Sequence, residues 1–153
     1  MTRMKRLLSA TFVALLAISM SFAWSNPNAA EVPAHHTAPP AKSAKLAPII
    51  TPDQLPGELK QYPFQPRIYQ LAAKVDKVLY QMPCYCFCDR SVGHKSLRTC
   101  FETSHGAHCS ACMKEALYAY QMTRAKKTPA QIRAGIIRGD WQNVDLNSTM
   151  TIK

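Results

Sequence analysis

The sequence predicts a small all-α domain with a loop rich in cysteine and histidine, preceded by an export signal and a linker. Two observations predict the helices. Apolar residues recur three and four positions apart along three segments, and no segment shows the alternation of apolar and polar residues that is typical of a half-buried strand. The third observation is that all six cysteines lie between Cys84 and Cys112. So dense a group predicts disulfides or a metal site rather than six separate core residues.

Residues 1–23 have the pattern of a secretory signal peptide. A short basic start precedes an uncharged apolar stretch over residues 7–22, and residues 21–23 (Ser-Phe-Ala) place small residues where a signal peptidase cleaves. The apolar stretch is shorter than the roughly 20 residues of a membrane span. We therefore expect cleavage, no stable membrane span afterwards, and a mature protein in the periplasm or an equivalent extracytoplasmic compartment, where oxidised cysteines persist.

Residues 24–50 contain five prolines among many alanines and have no periodic apolar pattern. This composition is typical of an extended, poorly packed linker. The folded unit is then the Cys/His-rich helical domain over residues 51–153, a length that supports one modest hydrophobic core.

Positive charge dominates the chain, which carries 19 lysines and arginines against 9 acidic residues. Such an excess favours association with anionic surfaces. Nucleic-acid binding also requires a motif that enters a groove, or aromatic side chains interleaved with the basic ones. The sequence has neither, so we expect no nucleic acid as a partner.

Three helices are predicted in the folded unit after a short turn at Thr51-Pro52, where a capping residue precedes a proline. The first covers residues 67–82 and ends at Pro83. The second covers about residues 105–127. The third covers about residues 129–138, opening with a cap and proline at Thr128-Pro129. The apolar spacing predicts these core residues: Ile68, Leu71, Ala72, Val75, Val78, Leu79, Met82, Met113, Ala116, Leu117, Tyr120, Ile132, Ile136 and Ile137.

The chemistry is predicted in the loop between the first two helices. Residues 84–88 read Cys-Tyr-Cys-Phe-Cys, and residues 105–112 read His-Gly-Ala-His-Cys-Ser-Ala-Cys. A soft or borderline metal ion needs several sulfur or imidazole ligands that converge from short segments, and these segments supply them. The predicted ligands are Cys84, Cys86, Cys88, His94, Cys100, His105, His108, Cys109 and Cys112. The acidic residues nearby, Asp89 and Glu115, are expected to be solvated or capping charges.

The second segment predicts a particular arrangement if it is helical. The pairs His105/Cys109 and His108/Cys112 are then four residues apart, and all four side chains share one face. They lie at the start of the helix, where a thiolate is favoured.

Several of these segments are similar to bacterial proteins of unknown function that are defined by a PCYCGC motif. The similar segments are residues 83–89, 93–97, 100–101 and 105–112, and the resemblance covers about residues 59–137. Members of that family are typically exported, and some are lipoproteins. Phe87 stands where the motif has glycine, and the chain lacks a lipobox cysteine, so lipid attachment is not implied. The resemblance implies the domain and its cysteine pattern and no particular activity.

Three other chemistries compete with metal binding at these cysteines. Haem attachment requires a histidine directly after the second cysteine of a Cys-x-x-Cys pair, and Met113 stands there, so it is excluded. A disulfide framework fits six cysteines in an exported domain, but Cys-x-Cys bridges are strained and the neighbouring histidines would have no role. A thiol oxidoreductase using Cys109 and Cys112 leaves four cysteines unused and lacks the βαβ context of that motif.

Metal binding is therefore the preferred hypothesis, with copper or zinc as the ion. A structural zinc ion takes four ligands. One such set is Cys86, Cys88, Cys109 and Cys112. Cu(I) favours thiolate donors, and a thiolate-bridged cluster employs all six cysteines. With an export signal, this favours a protein that sequesters Cu(I) or exchanges it with a metal-donating or metal-accepting protein. No open coordination position is paired with an evident base, so we expect no enzyme activity.

Overall fold

The computed structural model describes residues 31–152, so the predicted signal peptide and residues 24–30 lie outside the described residues. Within residues 31–152 the chain forms α-helices and 3₁₀ helices and no strand, which confirms the predicted all-α class. The α-helices are α1 (Phe64–Lys74), α2 (Asp76–Leu79), α3 (Cys88–Ser91), α4 (Ser110–Arg124) and α5 (Pro129–Arg138). The 3₁₀ helices are Pro52–Gln54, Gly57–Lys60, Leu97–Phe101, Ser104–His108, Asp140–Asn143 and Leu146–Thr151, and the first of them is the turn predicted at Thr51-Pro52. None of the helices in this part of the chain has the length and apolar character that crossing a membrane requires.

Helix α4 lies at the centre of the fold, where it packs against α1 and α5. Its buried face holds the residues that the apolar spacing predicts: Met113, Ala116, Leu117 and Tyr120. The predicted core residues of the other helical segments are buried as well: Ile68, Leu71, Ala72, Val75, Leu79, Met82, Ile132 and Ile136. Val78 and Ile137 are partly buried against this core. Burial of these side chains is the main favourable contribution to the fold.

The segment that was predicted as one helix over residues 67–82 forms two. Helix α1 begins earlier than predicted, at Phe64, and Pro66 falls in its first turn. Proline is tolerated there because the N–H groups of the first turn have no partner within the helix. Helix α1 ends at Lys74, because the next residue, Val75, has a φ of −128° and a ψ of 27°, which are not helical. The amide of Val75 donates to the carbonyl of Ala72, three residues back, and α2 then follows. The periodic pattern does not reveal this break because the apolar spacing continues through it.

The helix predicted over residues 105–127 begins later than expected. Residues Ser104–His108 form a 3₁₀ helix, and Cys109 is extended, with φ −123° and ψ 112°, so α4 begins directly after it. A close contact accompanies the 3₁₀ helix. Gly106 lies so near the backbone of Cys100 that a Cβ atom on it would be 2.9 Å from the carbonyl oxygen.

The late start of α4 overturns a predicted arrangement of ligands. The sequence places His105 with Cys109, and His108 with Cys112, on one face of a helix. Only Cys112 lies within α4, since Cys109 precedes the helix in an extended conformation. The two i,i+4 pairs are therefore not formed.

Helix α5 follows its prediction, and α4 ends earlier than predicted, at Arg124. Lys126 follows with a left-handed φ of 63°, which does not continue a helix. Thr128 then caps α5 by accepting a hydrogen bond from the amide of Gln131, whose side chain accepts in turn from the amide of Thr128. At the other end Gly139 has a φ of 90°, a conformation that glycine adopts without strain.

Residues 31–36, which we call the strap, lie against the cysteine-rich part of the domain. The amide of Ala34 donates to Oδ2 of Asp89 over 2.9 Å. The ring of His36 stacks on Tyr80, with 3.8 Å between the ring centroids. The strap forms no helix or strand, which agrees with the predicted linker. Its composition predicts poor packing, however, and these contacts show that it packs against the domain. Composition did not reveal this because the contacts are one backbone hydrogen bond, one stacked ring and an exposed ion pair between Glu31 and Arg90.

The rest of the predicted linker that the structure describes also contacts the domain. The guanidinium of Arg98 donates to the carbonyl of Ala47 over 2.7 Å. The amide of Ile50 donates to the carbonyl of Phe101 over 3.0 Å. Residues 47–50 are therefore held against the domain directly before the first 3₁₀ helix.

Candidate metal centre

Three cysteines are supplied by residues 83–88, which we call the cysteine loop. Its tight turn is closed by the amide of Phe87, which donates to the carbonyl of Cys84 over 3.0 Å. Phe87 has a left-handed backbone, with φ 55° and ψ 36°. The turn brings Sγ of Cys86 within 3.1 Å of Sγ of Cys84 and within 2.7 Å of Sγ of Cys88. Three cysteines at alternate positions thus present their sulfurs to one centre.

The other three cysteines come from the segments that pack against this loop. Cys100 lies in a 3₁₀ helix, Cys109 directly precedes α4, and Cys112 lies in the first turn of α4. Sγ of Cys112 is 3.3 Å from that of Cys84 and 3.2 Å from that of Cys86. Sγ of Cys100 is 3.8 Å from that of Cys84. The cysteine loop therefore meets the start of α4, as the sequence predicts.

Two histidines complete the cluster, and a third lies apart from it. Nδ1 of His94 is 3.2 Å from Sγ of Cys100, and Nε2 of His105 is 3.1 Å from Sγ of Cys88. The two imidazole rings lie edge to face, with 4.9 Å between their centroids. His108 is exposed.

The donor atoms form three groups, each with all its atoms within 4.8 Å of one another. The all-sulfur group is Cys84, Cys88, Cys100 and Cys112. The histidine group is Cys88, His94, Cys100 and His105. The third group is Cys86, Cys109 and Cys112. Each of the predicted ligands except His108 belongs to at least one group, so the cluster is positioned to hold a metal ion.

Mutual hydrogen bonding makes the thiols unequal acids. Hydrogen bonds from the surrounding thiols, that of Cys100 first, hold the pKa of Cys86 far below its usual value. The pKa of Cys88 is lowered to about 7, mainly by its hydrogen bond with Cys84. The pKa of Cys112 is raised, first by its hydrogen bond to Cys100. Without a metal, the thiolate of Cys86 is thus stabilised by hydrogen bonds from neighbouring S–H groups. Binding of a metal cation displaces the protons of those groups.

Glu115 is a further member of the centre that sequence reasoning missed. It is completely buried, and its Oε1 accepts a hydrogen bond from the amide of Tyr85 over 2.8 Å, whereas Oε2 has no partner. Burial raises the pKa of this carboxyl well above its usual value, although the hydrogen bond from Tyr85 opposes the rise. The expectation of a solvated or capping charge is therefore wrong for Glu115, which ties the cysteine loop to α4. Its position three residues after Cys112, on the same helical face, is the sequence feature that could have found it.

The sulfurs are arranged around a common centre and not in pairs. All six cysteines lie in the described part of the chain, and each is a free thiol there. Sγ of Cys86 has three sulfur neighbours within 3.2 Å, those of Cys84, Cys88 and Cys112. A disulfide framework gives each sulfur one partner, whereas sulfurs that share neighbours resemble the ligand shell of a metal.

A family model of proteins of unknown function with a PCYCGC motif matches residues 12–143. The chain belongs to this family. The match is wider than the motif-bearing segments alone indicate, and it includes the strap. No curated protein matches the chain, and no solved structure does.

The left-handed backbone of Phe87 explains a feature of the family motif. The fifth position of PCYCGC is glycine, the residue that adopts a positive φ without strain. In this chain the same position holds a phenylalanine whose ring packs edge to face with Tyr85, at 5.9 Å between centroids. The guanidinium of Arg90 lies 4.3 Å from the ring centroid. These contacts offset part of the strain that a side chain brings to this position.

Proposed function

We propose that this protein is an exported Cu(I)-binding protein that sequesters the ion or exchanges it with a metal-donating or metal-accepting protein outside the cytoplasm. The convergence of six thiols and two imidazoles on one cluster is the observation that supports this proposal most. Thiolates are the ligands that Cu(I) prefers in proteins. The predicted signal peptide supports a role outside the cytoplasm.

A single structural zinc ion is the second candidate. Zinc in structural sites is tetrahedral with four ligands, and the all-sulfur group would satisfy it. This group differs from the set predicted from the sequence, since it includes Cys84 and Cys100 in place of Cys86 and Cys109. Copper is favoured because eight donors belong to the three groups, more than the four positions of one zinc ion, and soft thiolates are the donors that select Cu(I).

We propose binding and not catalysis. A cysteine nucleophile or redox thiol needs an accessible thiolate of low pKa. Cys109 is half-buried, and its pKa is raised overall. The hydrogen bond with Cys112 lowers this pKa, but the hydrogen bond with Cys86 and burial together raise it by more. The Cys-x-x-Cys pair at the start of α4 therefore lacks the low-pKa thiolate of a redox-active pair.

Titration of the reduced protein tests the proposal. The chain from residue 24, held under reducing and anaerobic conditions, is mixed with Cu(I) or Zn(II) in the presence of a chromophoric chelator. We expect Cu(I) to be withdrawn from the chelator with a dissociation constant well below about 1 μM. Cys88→Ser removes a buried sulfur that belongs to both the all-sulfur group and the histidine group, and it is expected to weaken Cu(I) binding by at least about tenfold, or 1.4 kcal/mol.

The matched control is His108→Ala, because His108 is exposed and outside all three donor groups. It should bind Cu(I) as the wild type does. Failure of both ions to bind more tightly than micromolar, together with three disulfides in the isolated protein, would replace the metal proposal with the disulfide framework. Tight binding of Zn(II) at one equivalent, with weak binding of Cu(I), would favour the structural zinc site.

A further inference from the structure

The donors at this centre outnumber the four positions of a tetrahedral ion. Six sulfurs and two imidazole nitrogens belong to the three donor groups. The all-sulfur group and the histidine group share the sulfurs of Cys88 and Cys100, and each has two further donors of its own. A thiolate that belongs to two adjacent ligand sets is positioned to bridge two metal ions.

The all-sulfur group occupies the buried side of the centre. Its four cysteines, Cys84, Cys88, Cys100 and Cys112, are at most 3% exposed. Sγ of Cys84 lies 3.3 Å from that of Cys112 and 3.8 Å from that of Cys100. Four sulfurs bound tetrahedrally at about 2.3 Å from one ion lie about 3.8 Å apart. These two distances are therefore close to those of an occupied site, and all four sulfurs lie within 4.8 Å of one another.

The histidine group lies on the more exposed side. His94 and His105 are both half-buried. Each imidazole nitrogen approaches one of the two shared sulfurs, His94 that of Cys100 over 3.2 Å and His105 that of Cys88 over 3.1 Å. Two imidazoles and two thiolates form a ligand set that suits zinc or copper.

We propose that the centre holds two metal ions, one in the all-sulfur group and one in the histidine group, bridged by the thiolates of Cys88 and Cys100. This inference rests on the proposed function and adds a second site with a different type of ligand. The all-sulfur site suits Cu(I), and the histidine site accepts copper or zinc. Two cations also neutralise more of the buried thiolate charge than one does, and an uncompensated buried charge is costly.

Native mass spectrometry of the reduced chain with excess Cu(I) counts the bound ions. We expect at least two in the wild type and one fewer in His94→Ala/His105→Ala. His108→Ala is the matched control, since this third histidine is exposed and should leave the count unchanged. X-ray absorption at the copper edge of the wild type needs no variant, and we expect both a metal–metal scattering path and nitrogen ligands.

The possible failures are distinguishable. One bound ion at saturation in the wild type, without a metal–metal path, overturns the two-ion inference and leaves Cu(I) binding in place. An undiminished count in a folded double-histidine variant overturns the assignment of the histidine group. If circular dichroism shows that this variant is unfolded, the X-ray absorption of the wild type decides, and a sulfur-only spectrum contradicts the inference. No bound ion at all in the wild type removes the proposed function itself.

Discussion

Phe87 has a left-handed backbone, which costs a non-glycine residue about 1 kcal/mol or more. Its ring contacts Tyr85 and Arg90, so removal of the ring and relief of the backbone are separate effects. We expect Phe87→Gly to be more stable than Phe87→Ala by about 1 kcal/mol, because both lose the ring and only glycine relieves the strain. Urea unfolding of the reduced, metal-free variants measures this difference. An alanine variant as stable as the glycine variant would show that φ at this position carries no cost.

Glu115 gives the metal-free protein a pH dependence of definite sign. Its pKa is raised by burial, so the folded state keeps a proton that the unfolded chain releases above about pH 4.5. Stability is therefore expected to fall as the pH rises from that value through the raised pKa, by at most about 1.4 kcal/mol per pH unit from this residue. Glu115→Gln keeps an oxygen acceptor for the amide of Tyr85 and has no proton to lose.

The test is thermal unfolding of the wild type and Glu115→Gln across a pH series, both reduced and metal-free. The two proteins should be similar near pH 4, and the wild type should become progressively less stable than the variant at higher pH. Parallel curves for the two proteins would mean that Glu115 ionises alike in the folded and unfolded chains.

At the scale of elements, the sequence predicts a helix accurately where the ends of the helix are set by residues adjacent in the sequence. Helix α5 has a capping threonine, a proline in its first position and a glycine after its end, and its predicted bounds are confirmed. The 3₁₀ helix Ser104–His108 was not predicted, because it accompanies the close approach of Gly106 to the backbone of Cys100. That approach joins two separate segments, and apolar spacing within one segment does not report it.

The strap is the element whose role differs most from its prediction. Pro33 is buried, and together with Ala34 it lines a small cavity whose other walls include Cys84 and His94. The strap thus covers one side of the candidate metal centre. We expect a chain that begins at residue 46 to melt about 5–10 °C below one that begins at residue 31, since it loses a partly buried hydrogen bond and a stacked ring.

The same pair of chains should differ in how fast they give up metal. With the strap removed, transfer of Cu(I) to an excess of chelator is expected to be faster, because one side of the centre is uncovered. Differential scanning calorimetry and stopped-flow absorbance are the two measurements. Identical melting temperatures and transfer rates would show that residues 31–45 are the loosely packed linker that their composition predicts.

For the whole molecule, the sequence predicts that the donors converge but not how they are shared. The cysteine loop follows one helical segment of the core, and the Cys-x-x-Cys pair lies at the start of another. The packing of these segments brings the sulfurs of the loop against that of Cys112. The grouping of Cys84 with Cys112, and the exposure of His108, depend on where α4 begins. That position follows from the extended conformation of Cys109, which no local pattern indicates.

The central claim is that the six cysteines serve a metal and not one another. Native mass spectrometry of the protein recovered from the extracytoplasmic compartment to which we propose it is exported tests this most directly, because it weighs bound ions and lost hydrogens together. The account predicts a mass raised by bound copper and, after the metal is removed under acid, a chain with all six thiols reduced. A metal-free chain that lacks the six hydrogens of three disulfides would contradict it.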